Sequence, residues 1–111
     1  MQYIAISHTT APEDNDLVPP SILNKPSNYD EAMKTILQEI ENVEFYNTNK
    51  TYFCEFSDDI ELPNDIDQFN MNLENIKKVF ETSKPFWIEI NHSSMEYNDY
   101  SNVYSICPID I

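Results

Sequence analysis

The residues with the most chemical potential in this sequence are acids, and six of them fall within thirteen positions near the middle of the chain. The stretch begins at Glu55, ends at Asp67 and contains no basic residue. Its carboxylates belong to Glu55, Asp58, Asp59, Glu61, Asp65 and Asp67. Carboxylates this close together can bind cations, exchange protons or imitate a row of phosphates, so three chemistries compete for the stretch.

Metal binding is the first of these. Asp58, Asp59 and Glu61 offer the oxygen ligands that calcium prefers, but the stretch lacks the glycine and the twelve-residue spacing of an EF-hand loop. The sequence also lacks the Cys-x-x-Cys and His-Glu-x-x-His patterns typical of zinc sites. We therefore expect no cofactor and no resident metal, with a loosely held cation near Asp58 as the alternative.

Catalysis is the second. A nucleophilic thiol needs a neighbouring imidazole, and the chain has only Cys54, Cys107, His8 and His92 to form such a pair. Cys54 falls on the predicted inward face of a strand, where cysteine is typically a small core residue. A carboxylate pair for acid-base work needs an apolar pocket, whereas a solvated acidic loop is commoner. The absence of glycine also excludes a P-loop, so the sequence predicts no enzyme.

Charge is the remaining signal. The chain has twenty acids, six lysines and a net charge of -14. Nucleic-acid binding depends on clustered cations, and anionic membranes repel a negative protein, so neither is an expected direct partner. We expect a basic protein surface instead, such as the nucleic-acid groove of a host defence enzyme or a toxin.

The acidity also exceeds what solubility requires. A small domain stays soluble with a net charge of about 2 to 8, and further like charge destabilises the folded state. Alternate residues of a strand point the same way about 6.8 Å apart, a spacing comparable to that of successive phosphates. The acids of the stretch are therefore candidate partner-binding residues, with Tyr97 and Tyr100 as candidate interface anchors. A solvated acidic face without a partner is the alternative.

The same features predict a compartment. Cys54 and Cys107 lie far apart in a chain long enough to fold without a cross-link, which is typical of reduced thiols. No apolar run approaches 18 residues, and the first residues lack the charge pattern of a signal peptide. We expect a cytoplasmic protein.

Hydrophobic periodicity indicates which elements position the acids. The chain of 111 residues suits a single domain over 1–111, with a proline-rich loop at 9–27. Asn28 and Glu31 form a capping box for the first helix, and Pro63 and Asn64 suit the start of the second, which would place Asp65 and Asp67 in its first turn. The predicted helices are 29–42 and 65–83, and the predicted strands are 2–7, 43–46, 51–56, 85–91 and 103–107.

This pattern predicts the fold class. The order β-α-β-β-α-β-β favours an α+β domain in which two helices cover one face of an antiparallel or mixed sheet. Such a two-layer sandwich lies in the ferredoxin-like neighbourhood. Strand alternation places Tyr52, Cys54 and Phe56 together on the inward face.

A small acidic domain without a catalytic set is similar in character to two groups of proteins. One group is phage-encoded inhibitors of nucleic-acid enzymes, including DNA-mimic anti-CRISPR and anti-restriction proteins, and the other is immunity proteins that neutralise nuclease toxins. The likeness consists of size, charge and the lack of a catalytic set. The leading hypothesis is a stoichiometric inhibitor that imitates nucleic acid; the alternatives are an immunity protein and a generic acidic interaction module.

Overall fold

The structure is a computed structural model that describes residues 1–10, 19–43, 51–57, 60–92 and 100–109. Over these residues the chain forms an α+β domain with two helices and a five-stranded antiparallel sheet. The elements are β1 (Gln2–Thr10), β2 (Ser21–Ile22), α1 (Tyr29–Val43), β3 (Phe53–Phe56), a 3-10 helix (Gln68–Asn70), α2 (Leu73–Ser83), β4 (Trp87–His92) and β5 (Tyr100–Ile109).

The sheet has the strand order β2-β1-β5-β4-β3. The central strand β5 pairs with the whole length of β1, from Gln2 opposite Ile109 to Thr10 opposite Ser101. On its other side β5 pairs with β4, which in turn pairs with β3. Every pairing is antiparallel, so of the two predicted types, antiparallel or mixed, the sheet is antiparallel.

One face of the sheet supplies the hydrophobic core, and we call it the core face. Its buried residues come from four strands, because alternate side chains of a strand point to the same side. They are Ala5, Cys54, Ile88, Ile90, Tyr104 and Ile106, and they pack with the buried residues of both helices. Tyr52 and Cys54 are buried and Phe56 packs against the core, so the predicted inward side of this segment is confirmed.

Both helices contact the core face through aromatic pairs. The ring of Tyr29 in α1 lies 5.8 Å from that of Tyr3, and Phe80 in α2 lies 6.3 Å from Phe56. The predicted cap of the first helix is confirmed, since the Asn28 side chain accepts a hydrogen bond of 2.9 Å from the Glu31 amide. The helix itself extends one residue beyond the predicted 29–42.

The opposite side of the sheet, which we call the open face, is covered by neither α1 nor α2. Most of its side chains are partly exposed, and Glu55 is exposed. It is formed by Ile4, Ile6 and His8 of β1, Val103, Ser105 and Cys107 of β5, Trp87, Glu89 and Asn91 of β4, and Phe53 and Glu55 of β3. A sheet packed on one side only keeps this alternation of apolar and exposed positions.

The predicted start of the second helix is wrong. Helix α2 begins at Leu73, and its cap is Asn72, whose side chain accepts a bond of 2.9 Å from the Asn75 amide. Met71 is extended because its backbone exchanges two hydrogen bonds with Tyr52, and an α-helix cannot continue through such a residue. Asp65 and Asp67 therefore lie outside α2.

The predicted end of the last strand at 107 is also too early, since β5 continues through Pro108 to Ile109. The Ile106 amide donates to the Phe86 carbonyl on the β4 side, at 2.7 Å. Pro108 lies two residues further, so its nitrogen faces the same side, beyond the end of β4. The missing N–H therefore removes no bond from the sheet.

Both ends of the predicted loop 9–27 carry strand pairing. Strand β1 continues to Thr10, β2 pairs with Ile6 and Ser7, and Ser27 bridges to Tyr3. Residues 11–18 lie outside the described ranges, as do 44–50 and with them the predicted strand at 43–46 apart from Val43, which ends α1. The described order is β-β-α-β-α-β-β, and the ferredoxin-like two-layer sandwich stays a prediction.

The two cysteines lie on opposite sides of the sheet, and neither forms a disulfide. Cys54 is fully buried on the core face, whereas Cys107 lies opposite Ile4 on the open face and is partly exposed. The sheet between them prevents a disulfide within the chain. Separately, no helix in the described ranges is both long and apolar enough to cross a membrane.

Candidate functional site

The structure places four of the predicted partner-binding acids, and all four are exposed. They are Glu55, Glu61, Asp65 and Asp67. Asp58, Asp59 and Tyr97 lie outside the described residues, and Tyr100, the first residue of β5, is described only by its backbone, which pairs with His92.

The four acids belong to different local elements of the chain. Glu55 projects from β3 on the open face. Asp67 caps the 3-10 helix by accepting a bond of 2.9 Å from the Phe69 amide. The main-chain oxygen of Glu61 accepts a bond of 3.1 Å from the Ser83 hydroxyl, which ties its segment to the end of α2. Asp65 lies in the turn before Ile66.

The closest pairing of acids in the described sheet joins Glu55 to a residue that the sequence did not single out. Glu55 lies directly opposite Glu89 of β4. The Ser57 amide donates to the Trp87 carbonyl at 3.1 Å, which fixes Glu55 and Glu89 as a hydrogen-bonded pair in the ladder. Such pairs have Cα atoms about 5.5 Å apart, and like charges directly opposite one another are destabilising.

Sequence alternation carried part of this signal. It places Glu89 on the side away from Ile88 and Ile90, and Glu55 on the side away from Cys54. The missing information was the register between the two strands, which depends on contacts more than thirty positions apart in the chain. Without the register, Glu89 looks like any polar residue on the solvent side of a strand.

The strand register arranges the open face in parallel rows. One row runs across four strands as Ile22, Ile6, Ser105 and Trp87. The next row runs as His8, Val103, Glu89 and Glu55. Neighbouring rows lie about 6.8 Å apart, because they are two residues apart along each strand. A largely apolar row therefore lies directly beside a row that ends in the acidic pair.

Aromatic residues continue the open face at the opposite end of β3. The rings of Phe53 and Phe69 lie 5.1 Å apart, and Phe69 is 62% exposed. Phe69 falls within the predicted helix 65–83, but in the structure it belongs to the 3-10 helix that Asp67 caps. Asp67 is thus close in the chain and in space to an exposed aromatic pair.

The Tyr29 hydroxyl has a perturbed pKa, and its cause is structural. Burial raises the pKa of the Tyr29 hydroxyl above its usual value, with smaller contributions from Asp30 and Tyr3. This hydroxyl donates a bond of 2.6 Å to the Pro85 carbonyl and so fastens α1 to the turn before β4. Among the described residues, no group of three or more histidine, cysteine or carboxylate side chains is placed to hold a metal ion.

Comparison with protein-family models, with curated proteins and with solved structures found no match to this chain. Its function is therefore argued from its own residues: an acidic pair, an apolar row and an exposed aromatic pair on one side of a sheet. This combination is suited to contact with another protein.

Proposed function

We propose that this protein is a stoichiometric inhibitor of a nucleic-acid-binding enzyme, in the manner of phage-encoded anti-CRISPR or anti-restriction proteins. Its acids occupy the basic groove that otherwise holds the nucleic acid. No catalytic step is involved, and the inhibitor itself binds neither nucleic acid nor membrane. The groove supplies the positive charge, and the inhibitor supplies the negative charge.

The observation that carries this proposal is the Glu55 and Glu89 pair on the open face. Opposed like charges destabilise a sheet by roughly 0.2 to 1 kcal/mol relative to neutral pairs. The rest of the chain, with its net charge of -14, adds to this repulsion. A partner's cation placed over the two carboxylates removes their repulsion. A basic partner therefore stabilises this sheet more than it would stabilise a neutral one.

The wider charge distribution supports the same proposal. Glu61, Asp65 and Asp67 are exposed, and long-range attraction between opposite charges raises the rate at which two proteins meet. We include Asp58 and Asp59 in the proposed contact with them, and Tyr97 and Tyr100 as its aromatic anchors. These four residues are included in the proposed contact because of their positions in the sequence alone.

We infer that the domain is a two-layer sandwich in the ferredoxin-like neighbourhood and that it acts in the cytoplasm. The contacts of α1 and α2 with the core face support the first inference. The separation of Cys54 and Cys107 by the sheet, without a disulfide, supports the second, since reducing compartments keep cysteines from forming disulfides.

The experiment is a cleavage assay with purified nucleic-acid enzymes: a restriction nuclease, a CRISPR effector and a nuclease toxin. We expect one of them to lose activity in proportion to added inhibitor until the two proteins are equimolar. Nucleic acid should compete with the inhibitor, and salt should weaken it, because screening shortens the range of charge attraction to about 8 Å at physiological ionic strength. Failure of nucleic acid to compete would contradict the mimic.

A charge-matched pair of variants tests the site within that assay. The double change Glu55→Lys and Glu89→Lys should weaken inhibition strongly. The control, Glu39→Lys and Glu41→Lys on α1, alters the net charge by the same amount away from the sheet. Equal loss in both variants would mean that net charge alone acts, as in a generic acidic module. Inhibition of the toxin alone, without competition by nucleic acid, would indicate an immunity protein.

A further inference from the structure

The open face combines apolar and acidic side chains in a way that selects one kind of cationic side chain. Trp87 and Glu89 are two residues apart in β4 and project from the same face, about 6.8 Å apart along the strand. Glu55 lies across from Glu89, and Ser105 and Val103 flank the site on β5. An indole thus lies next to two carboxylates on one surface.

This arrangement suits a guanidinium better than an ammonium. Arginine carries a planar fork of donors that can bond two carboxylate oxygens, and the same plane stacks on an aromatic ring. Its weak hydration also favours partly buried ion pairs, whereas a lysine ammonium is strongly hydrated. A cation over the face of tryptophan is further attracted by the ring itself.

The rest of the open face limits what can surround that arginine. The row Ile22, Ile6, Ser105 and Trp87 is largely apolar, and Ile22 at its outer end is 68% exposed. Apolar partner side chains would cover this row. A second copy of the same chain is a poor occupant, because it would bring another charge of -14 against Glu55 and Glu89.

We propose that the open face is the partner-contact surface and that Glu55, Glu89 and Trp87 bind an arginine side chain that a basic protein presents beside apolar residues. This inference rests on the proposed function and names the chemistry of the contact. The arginine site lies on the sheet, and Glu55 is its one residue from the acidic stretch 55–67.

Trp87 allows a direct test because it is the chain's one tryptophan, so its fluorescence reports on this site alone. The probes are three short peptides that alternate arginine with leucine, lysine with leucine, and arginine with serine. The arginine-leucine peptide should shift the Trp87 emission and protect it from acrylamide. We expect each of the other two to bind about fivefold or more weakly, because one lacks the fork and the other the apolar side chains.

Matched variants assign the effect to the carboxylates. Glu89→Gln should weaken the arginine-leucine peptide about fivefold, and Glu41→Gln, with the same charge change on the exposed side of α1, should leave it nearly unchanged. Equal affinity of the arginine and lysine peptides, or equal effects of the two variants, would overturn the arginine site.

Two results from the protein alone would overturn the docking surface. Strong shielding of Trp87 from acrylamide in the free monomer would mean that the chain covers its own open face. Shielding that appears only in a dimer, seen by sedimentation, would mean that a second copy covers it. If the peptides bind as expected but the protein blocks no nucleic-acid enzyme, the proposed function fails and the arginine site stands. If the protein blocks such an enzyme but does not distinguish the peptides, the arginine site fails and the proposed function stands.

Discussion

Strand β4 shows how differently the two faces of this sheet are built. Ile88 and Ile90 are fully buried on the core face, whereas Trp87 and Glu89 are partly exposed on the open face. The core face meets two helices, and the open face meets neither within the described chain. The apolar residues of one strand therefore stabilise the core on one side of the sheet and are available for contact on the other.

The largest expected effect contrasts an isoleucine from each face. Ile88→Ala should lower the free energy of unfolding by about 2 to 5 kcal/mol, because it removes fully buried methyl groups and leaves a cavity. Ile6→Ala should lose less than half of that, since its side chain is already partly in water. Urea unfolding followed by circular dichroism measures both, and equal losses would mean that the open face is covered.

A second prediction concerns the cap that starts α2 beside the core face. Asn72→Ala should cost about 1 kcal/mol of stability, because the Asn75 amide loses its acceptor. Asn64→Ala, at the cap predicted from sequence, should change stability by less than about 0.5 kcal/mol. A larger effect at Asn64 would restore the earlier helix start and place Asp65 and Asp67 in its first turn.

A third prediction concerns the bond that fastens α1. Tyr29→Phe should lower stability by about 0.5 to 1.5 kcal/mol, because the Pro85 carbonyl loses its donor. The raised pKa of Tyr29 means that the folded hydroxyl keeps its proton where the unfolded one ionises, near pH 10. Stability is therefore lost as pH rises above about 10, and Tyr29→Phe should flatten that fall. Tyr3→Phe, which keeps the ring contact, is the control for thermal melts across this range.

The smallest effect is expected on the open face, and its sign is opposite. Glu55→Gln should raise stability by roughly 0.2 to 1 kcal/mol at low salt, because it removes a facing like charge. Glu89→Gln should raise stability less in the Glu55→Gln variant than in the unchanged protein, since the repulsive pair is already broken there. The gain should shrink in 1 M salt, where the Debye length is about 3 Å. Glu61→Gln, with no opposing strand, is the control; an equal gain there would remove the special status of the pair.

Local patterns were sufficient to predict much of the core face. The capping residue Asn28 and the apolar spacing of α1 fixed that helix to within one residue, because both signals lie within a few positions of each other. Alternation assigned Tyr52, Cys54 and Phe56 to the inward side for the same reason. Such features depend on neighbours in sequence, so they can be inferred before the fold is known.

Features that depend on distant pairing could not be predicted. Met71 looks compatible with a continuing helix until its two backbone bonds to Tyr52 are known. Pro108 looks like a strand terminator until β4 is seen to end before it. The Glu55 and Glu89 pair likewise required the β3 and β4 register. The sequence therefore singled out Glu55 but not Glu89, its neighbour across the sheet.

The separation of Cys54 and Cys107 by the sheet has a practical consequence. A maleimide added to the native protein should modify Cys107 and spare Cys54, because only the former reaches solvent. The unmodified sequence thus carries a single addressable attachment point on the side proposed to meet the partner. A dye attached to Cys107 would report the orientation of the molecule in a complex, and a bulky adduct there would block the contact. Neither requires a change of residue.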